Sequence, residues 1–205
     1  KKGEVFVTLD GVERKLDEED LMICDAEKPL CIAGVFGGIH SGVTQQTKRV
    51  FLESAYFNPV SVRKTSKRHG LKTDASFRFE RGTDPEMTLL ALKRAALLIA
   101  ELTGGTIATP LSDSYPEPIK PFVFDVRYAR VQALIGKAIP ESEIKAIIEA
   151  LGITVRNETA GVLTVEVPAY RVDVTREVDI VEEVLRIYGY NNIEIKRQIR
   201  ASLTT

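Results

Sequence analysis

One acidic residue within an apolar run, Glu53, is the side chain whose setting most directly suggests chemistry. The run formed by residues 50–57 predicts a mostly buried strand. A carboxylate there needs a partner, because an unpaired charge is costly to bury. A salt bridge to Arg78 or Arg81 would satisfy Glu53, and so would a ligand. Glycines, which let a ligand or another backbone approach closely, cluster upstream of it: Gly34, Gly37, Gly38 and Gly42.

A second set of carboxylates lies near the C-terminus. Asp179, Glu182 and Glu183 stand at helical positions i, i+3 and i+4 and so line one helix face, and Asp173 precedes that helix. Four oxygen ligands suit a hard cation such as Mg²⁺. The alternative is that these acids simply favour the first turns of a helix, with Arg186 compensating their repulsion.

A short basic helix is predicted between these two sets. Asn58 and Pro59 are typical of an N-cap and a first helical residue, and Gly70 is typical of a helix end. The intervening residues are strongly basic, which fits contact with an RNA backbone. The alternative, which charge runs more often represent, is a solvated face whose cations suit a helix C-terminus.

Composition narrows the class of protein. The chain has 205 residues, of which 44% are hydrophobic and 28% charged, as is ordinary for a globular protein. Its net charge of −1 provides no overall basic field, so any RNA contact must come from local patches. No signal peptide or membrane span is evident. The start at Lys1 suggests a piece of a longer protein.

Cys24 and Cys31 are interpreted as buried, reduced thiols rather than zinc ligands.

The pattern of elements predicts an α+β fold in two parts. Prolines interrupt residues 111–121 and mark a linker. Before it we expect a hairpin over 5–16, paired strands at 21–25 and 30–33, a strand at 49–54, and a core-packing helix over 86–102. After it we expect a strand at 122–126, helices over 128–135 and from Pro140, a hairpin over 153–167 and a helix over 176–188.

Three sequence motifs resemble those of one known family. Residues 33–38 (Ala-Gly-Val-Phe-Gly-Gly), 52–57 (Leu-Glu-Ser-Ala-Tyr-Phe) and 78–85 (Arg-Phe-Glu-Arg-Gly-Thr-Asp-Pro) are similar to the B3/B4 editing module of the bacterial phenylalanyl-tRNA synthetase β subunit. The likeness continues into the B5 module. It implies a mixed-sheet B3/B4 domain over 1–113, a linker over 114–121, a winged-helix-like B5 domain over 122–195, and the start of a following segment over 196–205.

The resemblance implies hydrolysis of mischarged Tyr-tRNA(Phe) in the first module. Glu53 matches the family residue that recognises the tyrosine hydroxyl, and Gly37, Thr73 and Ala75 match other pocket positions. In that role Gly37 keeps the slot open, Thr73 donates or holds a water, and Ala75 leaves room for the ring. The alternatives are a tight turn, a cap hydroxyl and ordinary packing, respectively. The family also uses a His and a Thr upstream of residue 1, so this chain would carry part of the pocket.

The same resemblance implies a cytoplasmic α2β2 parent enzyme that uses ATP, Phe, tRNA(Phe) and Mg²⁺. Asp173, Asp179, Glu182 and Glu183 match magnesium ligands described as shared with the α subunit. No ATP-binding motif is evident, so we expect this chain neither to bind ATP nor to act as a synthetase alone. His40 and His69 match no catalytic position and are predicted to be surface residues. The alternative function is a non-catalytic RNA-binding or subunit-scaffold module.

Overall fold

The computed structural model describes residues 2–194, and the chain divides into two compact units, Lys1–Pro118 and Ile119–Thr205. The division lies inside the Pro-rich segment 114–121. The predicted start of a further segment at 196–205 falls outside the described residues. The α+β class is confirmed, but every strand pair among the described residues is antiparallel, so the first unit has no mixed sheet.

The first unit combines small antiparallel sheets with three helices. The Asp10-Gly11 hairpin is confirmed, with Gly11 at φ +76°. The glycine-rich stretch contributes a short third strand to the second sheet rather than only a loop. In chain order the elements are β1 (Val5–Val7), β2 (Glu13–Lys15), β3 (Met22–Cys24), β4 (Pro29–Ile32), β5 (Phe36–Gly37), a 3₁₀ turn (Ile39–Ser41), α1 (Pro59–His69), α2 (Asp74–Phe79) and α3 (Met87–Thr103).

The predicted strand at 49–54 is wrong. Residues 48–58 form neither helix nor strand, and Phe51 is 96% exposed. A strand exists only where a neighbouring strand accepts and donates its hydrogen bonds, and no described strand pairs with this segment. The apolar run therefore becomes an extended connection instead of a buried strand.

Helix α3 forms where predicted and ends at Gly104, but the expectation that it packs into the core is wrong. No residue of α3 is buried, and Leu97 and Leu102 are 58% and 82% exposed. The core of the first unit lies elsewhere. Its buried residues are Phe6, Leu16, Ile32, Val35, Val62 and Leu71.

The second unit follows its sequence pattern closely. Helices precede a two-stranded wing, as the winged-helix-like prediction required, and the opening strand joins the wing to give the strand order β6-β8-β7. The elements are β6 (Phe122–Arg127), α4 (Tyr128–Ile135), α5 (Glu141–Ala150), β7 (Thr154–Thr159), β8 (Val162–Val167), α6 (Glu177–Tyr188) and a 3₁₀ turn (Tyr190–Asn192).

The core of the second unit is formed by both helices and sheet. On α6 the buried residues are Ile180, Val181 and Val184, whereas Val178 is 44% exposed.

Across residues 2–194, no helix is both long enough and apolar enough to cross a membrane.

Candidate functional site

A cavity of about 550 Å³ in the first unit is lined by all four residues that the family resemblance assigned to an editing pocket. That volume is within the usual range for small-molecule sites. The walls come from β3, β4, β5, the segment before α1, and α2. The lining residues are Ile23, Cys31, Gly34, Val35, Phe36, Gly37, Glu53, Ser54, Ala55, Phe57, Thr73, Asp74, Ala75 and Phe79.

Glu53 lines this cavity from the extended segment between residues 48 and 58. The residue is exposed as a whole, contrary to the buried position predicted, yet partial burial raises the pKa of its carboxyl. It makes no hydrogen bond or ion pair with any described residue. The salt-bridge alternative is therefore wrong: Arg81 pairs with Glu80 instead, at 2.9 Å. Glu53 is thus an acceptor without a partner among the residues that the structure describes.

Gly37 lies in a strand, so the tight-turn interpretation is wrong. Its carbonyl accepts a hydrogen bond from the Leu9 N–H at 3.0 Å, and an added Cβ would lie 3.0 Å from Leu9 Cδ1. The missing side chain thus lets β5 pack against Leu9. That Gly37 keeps a substrate slot open stays a prediction. At Gly38 an added Cβ would lie 2.6 Å from the Phe6 ring, so glycine is required there.

Thr73 is the N-cap of α2, as the cap interpretation predicted. Its hydroxyl accepts from the Ser76 N–H at 3.0 Å and donates to the Val35 carbonyl at 2.7 Å. The Ser76 hydroxyl completes the capping box by accepting from the Thr73 N–H. Because the Thr73 proton is already donated, this side chain fixes α2 against the glycine-rich segment. Ala75 follows in the first turn and lines the cavity.

Aromatic rings form one wall of the cavity. The rings of Phe57 and Phe79 lie 5.0 Å apart at 58°, a favourable tilted geometry. They approach Gly34 so closely that a Cβ there would lie 3.0 Å from Phe57, and its φ of +67° also favours glycine. The wall provides the apolar surface that a phenyl ring needs.

Sequence reasoning missed several residues of the cavity. Cys31, which points a thiol to the Phe36 carbonyl at 3.4 Å, has a pKa raised by burial and secondarily by Glu53, so it is a neutral thiol. Asp74 lines the cavity from the first residue of α2. The position of Asp74 directly between Thr73 and Ala75, two predicted pocket residues, could have indicated that it lines the cavity.

The basic helix α1 has the predicted ends. The Asn58 side chain accepts from the Val60 and Ser61 N–H groups, and Gly70 ends the helix at φ +63°. Part of its charge is neutralised by the acidic segment 17–20. Lys64 and Arg68 pair with Glu19 at 3.5 and 2.7 Å.

His69 is not the surface residue that was predicted. Its side chain is 5% exposed, and its Nε2 lies 2.6 Å from the fully buried carboxylate of Asp20. His40 is exposed, as expected. The exposed residues Arg63 and Lys67 of α1 have no ion pair with described residues, so contact with RNA through this helix stays a prediction.

The acidic set of the second unit has arginine partners. Glu183 contacts Arg186 at 2.6 Å and Arg171 at 3.2 Å, and these contacts, Arg186 foremost, lower its pKa. The predicted compensation by Arg186 is therefore present. Burial raises the pKa of Asp179, but hydrogen bonds from Arg176 and the Thr175 N–H outweigh it and lower the pKa overall.

This arrangement does not form a ligand sphere for a metal. Asp173 and Glu182 are exposed, while Asp179 and Glu183 face arginines. Within residues 2–194 no three His, Cys, Asp or Glu side chains are grouped so as to hold a metal ion. The four predicted ligands therefore do not form a magnesium site with other described residues, and a shared magnesium site stays a prediction.

Comparisons with known proteins agree along the whole chain. A family model described as the B3/4 domain matches residues 1–104, and one described as the tRNA synthetase B5 domain matches residues 124–190. The chain is 56% identical over 204 residues to the phenylalanine–tRNA ligase β subunit of Bacteroides fragilis (strain YCH46), covering 100% of this chain and 25% of that protein.

A further relative is the phenylalanine–tRNA ligase β subunit of Porphyromonas gingivalis, 55% identical over 203 residues, with 98% of this chain and 25% of that protein covered. The chain thus spans about a quarter of the length of these relatives. A crystal structure of an N-terminal fragment of the phenylalanyl-tRNA synthetase β subunit from Pyrococcus horikoshii covers 93% of this chain and 55% of its own, at 20% identity and a TM-score of 0.42. The B3/4 model alone matches over half of the residues, so the chain belongs to the B3/4 domain family and, with its B5 domain, to the phenylalanine–tRNA ligase β subunits.

Proposed function

We propose that this chain works within a phenylalanine–tRNA ligase and that its cavity hydrolyses tyrosine mistakenly attached to tRNA(Phe). The observation that carries the proposal is the position of Glu53, a carboxylate with no partner between residues 2 and 194, in the same cavity as Gly37, Thr73 and Ala75. The family resemblance assigned these four residues to one pocket, although they lie in three separate segments between Gly37 and Ala75.

The chemistry follows from one hydroxyl group. An apolar pocket rejects an added hydroxyl poorly, by about a hundredfold at most, so an enzyme selective for Phe benefits from a second site that recognises the phenol. A carboxylate that accepts the phenol proton makes a charge-assisted hydrogen bond. A phenylalanyl ester would leave Glu53 without that bond, against the aromatic wall of Phe57 and Phe79.

Water is the proposed nucleophile. No histidine stands among the described lining residues, and the Cys31 thiol is neutral and donates to the Phe36 carbonyl. The Thr73 hydroxyl is held by Val35 and Ser76, so its part is to fix the wall of the cavity. The cavity walls bind and orient the aminoacyl group, and a bound water attacks the ester carbon with backbone N–H groups facing the oxyanion. The carbon–oxygen bond to the tRNA ribose then breaks, the ribose oxygen takes up the proton that the water loses, and free tyrosine and tRNA are released.

Substitution of Glu53 tests the proposal. In the full-length β subunit assembled with its α subunit, we expect Glu53→Gln and Glu53→Ala to lower kcat/KM for deacylation of Tyr-tRNA(Phe). The loss of one hydrogen bond to a charged group corresponds to about 10- to 150-fold. Charging with Phe should persist. Glu101→Gln, an exposed carboxylate outside the cavity, is the matched control.

Unchanged deacylation by both Glu53 variants would contradict the editing role. The chain would then be better described as a non-catalytic RNA-binding or subunit-scaffold module, with the exposed Arg63 and Lys67 of α1 as its contact points. In either role we propose an α-subunit partner and tRNA(Phe), within a cytoplasmic α2β2 enzyme that takes ATP and Phe at sites outside this chain.

A further inference from the structure

The cavity of the first unit is lined by two carboxylates and by no cationic side chain. Glu53 and Asp74 are its acidic residues, and no Lys, Arg or His stands among the described lining residues. The third titratable group, the Cys31 thiol, is neutral because burial raises its pKa. A cavity with this charge favours a ligand that carries a positive charge.

Asp74 is exposed, and its carboxylate makes no hydrogen bond or ion pair with a described residue, in contrast to Asp25 and Asp84. Asp84 accepts from the Glu86 N–H at 3.0 Å, and Asp25 accepts from two backbone N–H groups. Asp74 follows the N-cap Thr73, and the capping of α2 is completed by Thr73 and Ser76 without it. Its carboxylate is therefore available to a ligand in the cavity.

A tyrosyl ester presents two polar groups at opposite ends. The phenol hydroxyl is neutral and donates one hydrogen bond, and the α-ammonium group is a cation with three donors. Glu53 is assigned to the hydroxyl, so a second acceptor is needed for the cavity to bind the ammonium group through a charge-assisted hydrogen bond. Asp74 is the remaining anionic side chain of the wall.

We infer that Asp74 binds the α-ammonium group of the aminoacyl ester, so that the cavity selects esters of free α-amino acids. The inference rests on the proposed editing function and adds a second specificity-determining residue to it. Glu53 distinguishes tyrosine from phenylalanine, whereas Asp74 distinguishes an amino acid from a carboxylic acid that lacks the amino group.

Two substrates separate this role from a structural one. Tyrosyl-tRNA(Phe) is compared with tRNA(Phe) esterified by 3-(4-hydroxyphenyl)propionic acid, which has the same phenol and lacks only the amino group. In the assembled enzyme we expect Asp74→Asn to lower kcat/KM for the tyrosyl ester by about tenfold or more, the loss of a charge-assisted contact. Hydrolysis of the deaminated ester should be unchanged. Glu53→Gln should lower both.

Asp74→Glu, which retains the charge, should keep part of the preference for the tyrosyl ester, and Asp74→Ser provides a second neutral variant if Asp74→Asn fails to fold. The wild-type enzyme itself should prefer the tyrosyl ester to the deaminated one. Equal losses on both esters, or no loss on either, would overturn the assignment of Asp74 while leaving the editing function intact. A wild-type enzyme that hydrolyses neither ester would overturn both.

Discussion

At the scale of single residues, Asp20 shows how a buried carboxylate holds the first unit together. Its side chain is fully buried and accepts hydrogen bonds from Thr65, Arg68, His69 and the Asp17 N–H. Burial is the largest influence and raises its pKa, but the hydrogen bonds from Asp17, His69 and Thr65 together lower it below the ordinary value. The network ties segment 17–20 to the last turns of α1.

This network predicts a loss of stability in acid. Because the folded-state pKa of Asp20 lies below the unfolded value of about 3.9, its stabilisation is complete above that pH. It is lost as the pH falls through the folded-state value. At pH 7, Asp20→Asn should lower the free energy of unfolding of the first unit by about 1–3 kcal/mol, measured by urea unfolding.

Asp20→Asn should also make the free energy of unfolding depend less on pH in acid, since the substitution removes the carboxyl group that titrates. Glu13→Gln, an exposed carboxylate in β2 with no bond to a described residue, serves as the control and should change neither quantity. If Asp20→Asn retained the wild-type slope of stability between pH 5 and pH 3, Asp20 would not be the group responsible.

At the scale of elements, α1 and α3 differ in how their apolar residues are used. Val62 of α1 is 2% exposed and packs in the core of the first unit, whereas the longer and more apolar α3 buries no residue. Both helices form because their sequences favour a helix locally. Of the two, only α1 places side chains in the core of the first unit.

A matched pair of leucines tests this difference. Leu71, just after α1, is 6% exposed, and Leu97 on α3 is 58% exposed. Leu71→Ala should cost about 2–5 kcal/mol of unfolding free energy, as buried leucines do. Leu97→Ala should stay within about 0.5 kcal/mol, as for an exposed position. Circular dichroism during urea unfolding measures both, and a cost at Leu97 approaching that at Leu71 would show that α3 is covered in solution.

At the scale of the whole molecule, the two units have cores of different size. Among the described residues, the buried cluster of the second unit has sixteen members and that of the first has six. Buried apolar area is the main favourable term in stability, so the second unit should be the more stable of the two.

Hydrogen exchange followed by mass spectrometry measures this difference in the intact chain. Amides of β8, which lies in the centre of its sheet, should remain protected at urea concentrations where amides of β4 in the first unit already exchange. The hairpin β1–β2 should lose protection with β4. Loss of protection in both units at one urea concentration would mean that they unfold together, in conflict with the prediction.

Local features could be predicted from the sequence because the interactions that cause them involve residues only a few positions apart. Asn58, Pro59 and Gly70 bound α1, and Asp10-Gly11 turns the first hairpin, since caps and turns depend on nearby hydrogen bonds and on φ. The family resemblance went further and named four residues that prove to line one cavity.

The tertiary structure alone decided which groups are buried and what they contact. The extended course of residues 48–58, the exposure of α3, the pairing of Glu183 with two arginines and the burial of His69 on Asp20 all depend on segments distant in sequence. The same holds for Asp74, because the absence of a bond from its carboxylate to any described residue becomes apparent only when its neighbours are known. Periodicity and spacing carry the local hydrogen-bond pattern, whereas burial and charge pairing arise when distant segments come together.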